Sequence, residues 1–380
     1  MIGRIVLILR LALGSVFIFS GGVKLIDPQG TKIKLEEYFT AFSSISSYYE
    51  IPILESLFDS LKTVAIGLSL GLSSLEVVLG FAIITWFLPK LTNTTTTLLL
   101  IFFGLLTGYS ASCDPSNIYG VSCVTDCGCF GDFMKLKPIN SFYKDLFLLV
   151  LSVPITLYAF KTGSKIKSTH AIGGLTIISI LSLSFGIYNN VNLPIIDFRP
   201  YKIGNNIIEL RSNGKPAEIA YVMEKDGKEE TFTEYPFEQG YNFVRTEITT
   251  EATEPTAKDF YLYNQDGEDE TEQILKDTTV FIISQGVQDI EQKEANSINE
   301  LIKKLEKSSL NWAILSSSSK KEFQLKGINL PPEISFYSLD QTVTKAIIRS
   351  NPGVMVIEQG IVKFKSNDLN SLDLKSLSSQ

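Results

Sequence analysis

The first half of this chain carries five apolar stretches, at about 5–23, 63–88, 95–111, 142–160 and 171–188. Each is close to the ~20 residues that a helix needs to cross a bilayer core. Lipid offers backbone N–H and C=O groups no water, so such stretches must satisfy their own hydrogen bonds as helices. A membrane α-helical bundle is therefore expected over residues 1–190. The first stretch follows Arg4 and has the outline of a secretory signal peptide. Arg10 interrupts it, however, no small-x-small cleavage site follows, and more apolar stretches come after, so a retained helix is expected. Residues 27–59, with Pro28 and Pro52 as breakers, read as a polar, aromatic connection.

Charge separates the halves. Up to Leu193 there are 13 Lys+Arg against 11 Asp+Glu; the rest carries 21 against 30, an acidic soluble part. That balance argues against nucleic acid, whose phosphates demand Lys and Arg. The single histidine, His170, excludes a Ser-His-Asp triad or a bis-histidine haem site outside its own neighbourhood. Five spans put the two ends of the bundle on opposite sides of the membrane. Arg4, Lys90 and the Lys161, Lys165, Lys167 cluster share a side, which the positive-inside rule assigns to the cytoplasm. The connection 112–141 and the C-terminal half then face the extracytoplasmic side. In a bacterial inner membrane that is the oxidising periplasm, where thiol pairs persist as disulfides.

Beyond a linker at 189–204, residues 217–223 and 230–235 alternate around Lys225-Asp226-Gly227-Lys228, a hairpin pattern. From about 256 strands alternate with helices: strands at 260–263, 279–284 and 312–315, helices at 295–307 and 342–349, and a closing hairpin at 354–357 and 361–364. The expected domains are thus 1–190 (membrane), 191–255 (linker and hairpin) and 256–380 (soluble α/β).

All four cysteines lie on the connection between the third and fourth apolar stretches: Cys113, Cys123, Cys127 and Cys129. Four cysteines allow three pairings, and sequence does not choose among them. A Cys127–Cys129 pair flanks Gly128; a bridge there is strained and labile, which suits cycling between thiol and disulfide. Cys113 and Cys123 then relay electrons or brace the loop. Static disulfides that only hold the loop are the alternative. No metal is expected, because zinc sites favour two Cys-x2-4-Cys arms and only Cys123 and Cys127 form one. Asp126 and Asp132 bracket the pair as candidate proton acceptors or as simple turn residues. Arg10 and Glu76 are charges inside apolar stretches. Their estimated depths nearly meet, so a buried Arg10–Glu76 pair is expected.

Two resemblances refine this reading. Arg10, Gly14, Phe17, Ser20-Gly21-Gly22, Lys24-Leu25 and Asp27-Pro28 resemble the first helix of the DoxX superfamily, and Glu76-Val77-Val78-Leu79-Gly80 its second. The run Cys127-Gly128-Cys129-Phe130-Gly131-Asp132 resembles the methylamine utilisation MauE branch, which is compared with vitamin K epoxide reductase and other membrane thiol-redox proteins. The resemblance implies four DoxX-like helices plus a fifth, and a part in forming disulfides in partner proteins. Residues 256–375 resemble a thioredoxin-like domain of the TlpA kind, with Pro352 where that fold places a cis-proline beside a peptide-docking surface. Where that family carries Cys-x-x-Cys, this chain reads Gln285-Gly286-Val287-Gln288. Redox chemistry then falls to the membrane-half cysteines, Cys127 and Cys129 foremost. The expected partners are the lipid bilayer and extracytoplasmic protein thiols or a thioredoxin-like protein. No bound cofactor is expected, and the redox class implies a membrane quinone as electron acceptor. The rival reading is a non-catalytic assembly protein with structural disulfides.

Overall fold

The structure, a computed structural model, describes residues 2–113, 123–124, 128–134, 136–162, 168–237, 240–264 and 266–377. The chain divides into two compact units, Met1–Phe198 and Arg199–Gln380.

The first unit is helical: α1 Ile2–Ile26, α2 Pro28–Tyr48, α3 Pro52–Thr63, α4 Ala65–Thr85, α5 Pro89–Ser112, α6 Pro138–Lys161 and α7 Ser168–Val191. Among the described residues, α1, α4, α5, α6 and α7 are long and apolar enough to span a membrane. Leu13 and Phe17 of α1, Leu79 and Ile83 of α4, Leu99 and Leu100 of α5, and Leu148 and Ile155 of α6 form one buried core. α7 packs on the α1 and α4 side of that four-helix core. The unit is therefore a membrane helical bundle of four helices and a fifth.

Residues 27–59 are not an extended connection; they form α2 and α3. Asp27 caps α2 by accepting the Gly30 N–H at 3.0 Å, and Pro28 stands at its start, where a missing N–H costs nothing. Ser43 of α2 donates to Asp59 of α3 at 2.9 Å. The two prolines that read as breakers each begin a helix.

α1 and α4 approach each other closely through glycine. A Cβ on Gly80 would lie 2.6 Å from the Gly14 carbonyl oxygen, and one on Gly21 2.5 Å from the Ser73 carbonyl oxygen. Backbones packed without side chains between them gain dispersion contacts that lipid cannot replace.

In the second unit α8 (Ile207–Ser212) precedes β1 (Glu218–Lys225), β2 (Lys228–Phe232) and β3 (Asn242–Thr250), an antiparallel sheet ordered β2-β1-β3. After α9 (Thr271–Lys276) come β4 (Thr279–Ser284), α10 (Gln292–Leu305), β5 (Asn311–Ser316), α11 (Lys320–Leu325), β6 (Ser335–Ser338), α12 (Gln341–Ile347), β7 (Gly353–Glu358), β8 (Ile361–Ser366) and α13 (Leu374–Leu377). The second sheet runs β6-β5-β4-β7-β8, with β4, β5 and β6 parallel and β7 and β8 antiparallel. A parallel βαβ unit followed by a cis-proline and a closing hairpin is the thioredoxin-like topology. Every residue of β4 is buried, as a central strand with both faces covered requires. Glu291 and Glu294 form a capping box on α10, whose Ile298, Leu301, Ile302 and Leu305 enter the core.

Two expectations change here. Of residues 191–255, expected as a linker and hairpin, the hairpin is β1–β2, but from Arg199 onward the segment belongs to the second unit, with Gly204 N–H bonded to the Val362 carbonyl at 2.8 Å and Ile207 N–H to the Gly360 carbonyl at 2.8 Å. Residues 260–263 contribute a single bridge, Tyr263 to Asp269, in place of a strand.

Two predictions follow from this packing. Gly80→Val drives a branched side chain into the α1 backbone and should lower stability by about 1–3 kcal/mol, read as a lower melting temperature in detergent. In the second unit, burial holds the Tyr201 and Tyr337 hydroxyls protonated well above the usual tyrosine range, Tyr337 with help from its 2.5 Å bond to Glu270. Their contribution to stability is full below the unfolded tyrosine value, about 10, and is lost as pH rises beyond it. Unfolding by denaturant at rising alkaline pH should show this decline, and a Tyr201→Phe/Tyr337→Phe variant should show a shallower one.

Candidate functional site

Residues 128–133 fold back against the bundle. Cys113, which follows α5, and Cys123 are joined by a disulfide with Cα atoms 5.7 Å apart. Cys127 and Asp126 lie outside the described residues. Gly128 has a φ of +62°, and a Cβ there would sit 2.8 Å from Lys34 Cγ, so glycine is required on both counts. The next residue, Cys129, is half-buried, and its carbonyl accepts the Ser20 hydroxyl at 2.9 Å. Phe130 and Phe133 pack on Phe19 of α1, with ring centroids 5.8 and 5.3 Å away. Lys144 Nζ of α6 lies 5.0 Å from the Phe130 ring. Apolar packing, one hydrogen bond and a cation–π contact thus hold the cysteine against the bundle.

Beneath it lie two small cavities of about 50 and 30 Å³. Both are lined by Lys24, Glu76, Phe103 and Cys129. Lys24 Nζ and Glu76 Oε1 are 2.5 Å apart, and the two residues are 7% and 2% exposed. Lys24 Nζ also lies 4.8 Å from the Phe103 ring centroid. On the α6 side, buried Asp145 pairs with Lys144 at 2.8 Å and accepts the Thr107 hydroxyl at 3.1 Å. On the α2 side, Lys34 pairs with Glu37 at 2.8 Å and Tyr38 bonds to Ser110 at 2.8 Å.

The expected Arg10–Glu76 pair is overturned. Glu76 takes Lys24, while Arg10 donates through Nε to the Ile83 carbonyl at 2.9 Å and through Nη2 to Ile84 at 2.7 Å, over the Trp86 ring at 4.1 Å. The last carbonyls of a helix have no partner within it, and Arg10 supplies one at the end of α4. Lys24 is fourteen residues further along α1, roughly 21 Å at 1.5 Å per residue. It was missed because it stands just beyond the apolar run and reads as a flanking charge. The signal that could have found it is Gly21, which shows where the two backbones meet.

Asp132 begins a short 3-10 turn, Gly131–Phe133, is half-buried, and lines neither cavity. In the second unit the Asn351–Pro352 peptide is cis. Asn351 braces the segment where the resembled family has its dithiol: its side chain accepts the Gln285 N–H at 3.1 Å and donates to the Gly286 carbonyl at 2.7 Å. The segment reads Gln285-Gly286-Val287-Gln288 and carries no thiol.

Helical spans joined to a thioredoxin-like α/β unit define a membrane protein of two parts. Its first part is MauE-like: the family model for methylamine utilisation protein MauE matches residues 2–159, from α1 nearly to the end of α6. The chain is also similar to Protein TlpB of Flavobacterium psychrophilum, 30% identical over 145 residues. That match covers 37% of this chain and 36% of the relative, so the chain spans about a third of that protein's length. No solved structure matches.

Removing one partner of a buried ion pair leaves the other charge unpaired, at a cost of about 3–5 kcal/mol. Lys24→Ala and Glu76→Ala should each destabilise the bundle by that order. The double variant should cost clearly less than their sum, read as a coupling energy from a double-mutant cycle in detergent.

Proposed function

We propose that this protein is a membrane thiol–disulfide exchange protein in which Cys129 and Cys127 form the cycling pair. The observation that carries the reading is the position of Cys129, held by Ser20 and Phe19 over interior cavities that ammonium groups line. Thiolate is the reactive form of cysteine, and nearby cations favour it. In the cycle, the Cys127–Cys129 disulfide takes two electrons and two protons from a client dithiol, which becomes a disulfide. The reduced pair then passes both electrons and both protons to a membrane quinone, giving the quinol.

The Lys and Arg distribution supports a cytoplasmic N-terminus, with the cysteine loop and the thioredoxin-like unit in the periplasm of a bacterial inner membrane. The clients are extracytoplasmic protein thiols or a thioredoxin-like partner. The second unit has no cysteine and serves to hold the client. One observation favours a second reading. The Cys113–Cys123 bridge closes the loop behind α5 as a brace, as it would in an assembly protein whose disulfides are static.

Single Cys127→Ser and Cys129→Ser variants separate the readings. Exchange requires that at least one of them accumulate a mixed disulfide with another protein, and that reduced pair reappear as oxidised pair when quinone is added. Clients oxidised as before in both variants would remove the proposal.

A further inference from the structure

We infer that the Lys24–Glu76 pair is the counter-charge and proton store of the Cys129 thiol. The inference rests on Cys129 being the exchanging thiol and adds the groups that handle its proton.

Three observations carry it. Lys24 and Glu76 line both cavities that reach Cys129. The second oxygen of Glu76, Oε2, and the hydroxyls of Ser73 and Thr31 are buried with no hydrogen-bond partner among the described residues, and all three residues line the larger cavity. Buried polar atoms without a partner are costly, and natural proteins satisfy them with protein or water. A cavity of about 50 Å³, at roughly 10–15 Å³ per water, has room for about three to five waters and none for an aromatic ring. A carboxylate, two hydroxyls and an ammonium group suit water well.

The other ionisable groups that line the cavities have side-chain partners of their own. Lys34 of α2 faces Glu37, Tyr38 of α2 bonds to Ser110, and Lys144 and Asp145 of α6 pair with each other, Asp145 also holding Thr107. α5 contributes Phe103, Leu106 and Thr107 to the larger cavity, none of them ionisable. Glu76 Oε2 is left as the open acceptor.

The step conserves buried charge. Cys129–SH gives its proton through water to Glu76, which becomes a neutral acid. Lys24 loses one anion and gains another, the thiolate, so one positive and one negative charge remain throughout. In the exchange the client thiol gives its proton through the same water to Glu76 and its thiolate attacks Cys127 Sγ; the client–Cys127 bond forms as the Cys127–Cys129 bond breaks. Cys129 leaves as the thiolate facing Lys24 and takes the stored proton from Glu76. A low-dielectric interior makes a change in net buried charge costly, and this exchange avoids one.

The test uses the full-length protein with Cys127→Ser, so that Cys129 is the reduced thiol beside the Cys113–Cys123 bridge. Its iodoacetamide alkylation rate is followed against pH. Glu76→Gln leaves Lys24 without an anion, so the midpoint should move down by about one unit or more, and alkylation at neutral pH should quicken. Lys24→Gln should move it up by a similar amount and slow alkylation about tenfold. Lys24→Arg, which keeps the charge, should restore the wild-type midpoint. Midpoints that stay in place, or that move in the same direction in both Gln variants, overturn the inference, since a packing role has no sign. Formation of the Cys113–Cys123 disulfide reports folding. If one variant fails to fold, the other carries the test through its own direction. Unmoved midpoints with an inactive Cys129→Ser remove this inference alone; an active Cys129→Ser removes the exchange reading beneath it.

Discussion

A buried lysine–glutamate pair exists in this bundle only because two helices can touch along their backbones. Gly14 and Gly21 of α1 face Gly80 and Ser73 of α4 at distances that no Cβ would tolerate. At that separation the ammonium of Lys24 reaches Glu76 with both groups almost wholly buried. Desolvating two charges costs more than an ordinary ion pair returns, so the pair has little value as a stabiliser. Its place under the half-buried Cys129, bordered by buried hydroxyls, suits the proton-handling role proposed for it.

The loop above depends on the same helices. Ser20 and Phe19, the residues on α1 just before Gly21, supply the hydrogen bond and the ring that receive Cys129 and Phe130. α2 exists because Asp27 and Pro28 start a new helix where α1 ends, and this brings Lys34 over Gly128. Residues 19–24 of α1 therefore position both the loop that carries the thiol and the lysine of the charge pair below it. The second unit is built on different physics, a central strand buried on both faces between helices. Its segment after β4 is held by amide hydrogen bonds of Asn351 and Gln285.

Much of this was legible in the chain. The five spans were visible because lipid demands long uninterrupted apolar runs, and β4, β5 and the closing hairpin because buried strands are short apolar blocks. The cysteine loop declared itself by composition. α2 was hidden because serine, threonine and charged residues dilute its apolar period, and α3 because its opening Pro52 read as a breaker although Ile53, Leu54, Leu57, Phe58 and Leu61 keep helical spacing. β3 is exposed along its whole length, so it shows little of the alternation by which strands are read. Depth along a helix was the wrong guide to the charges: it matched Arg10 with Glu76, whereas Arg10 is held by the open end of α4.

By itself the sequence determined the two-part architecture, the confinement of every thiol to one loop, and the lack of thiols in the second unit. Those properties depend on residue type and local order, which bilayer thickness and strand or helix period translate directly. Tertiary structure decided which charges meet, that Cys113 bonds to Cys123, and that Cys129 faces inward over Lys24 and Glu76. The disulfide joins residues only ten apart, where spacing leaves three pairings open; the other two depend on which faces of distant helices come into contact. That choice rests on small-residue packing between segments more than fifty residues apart, which no local pattern encodes.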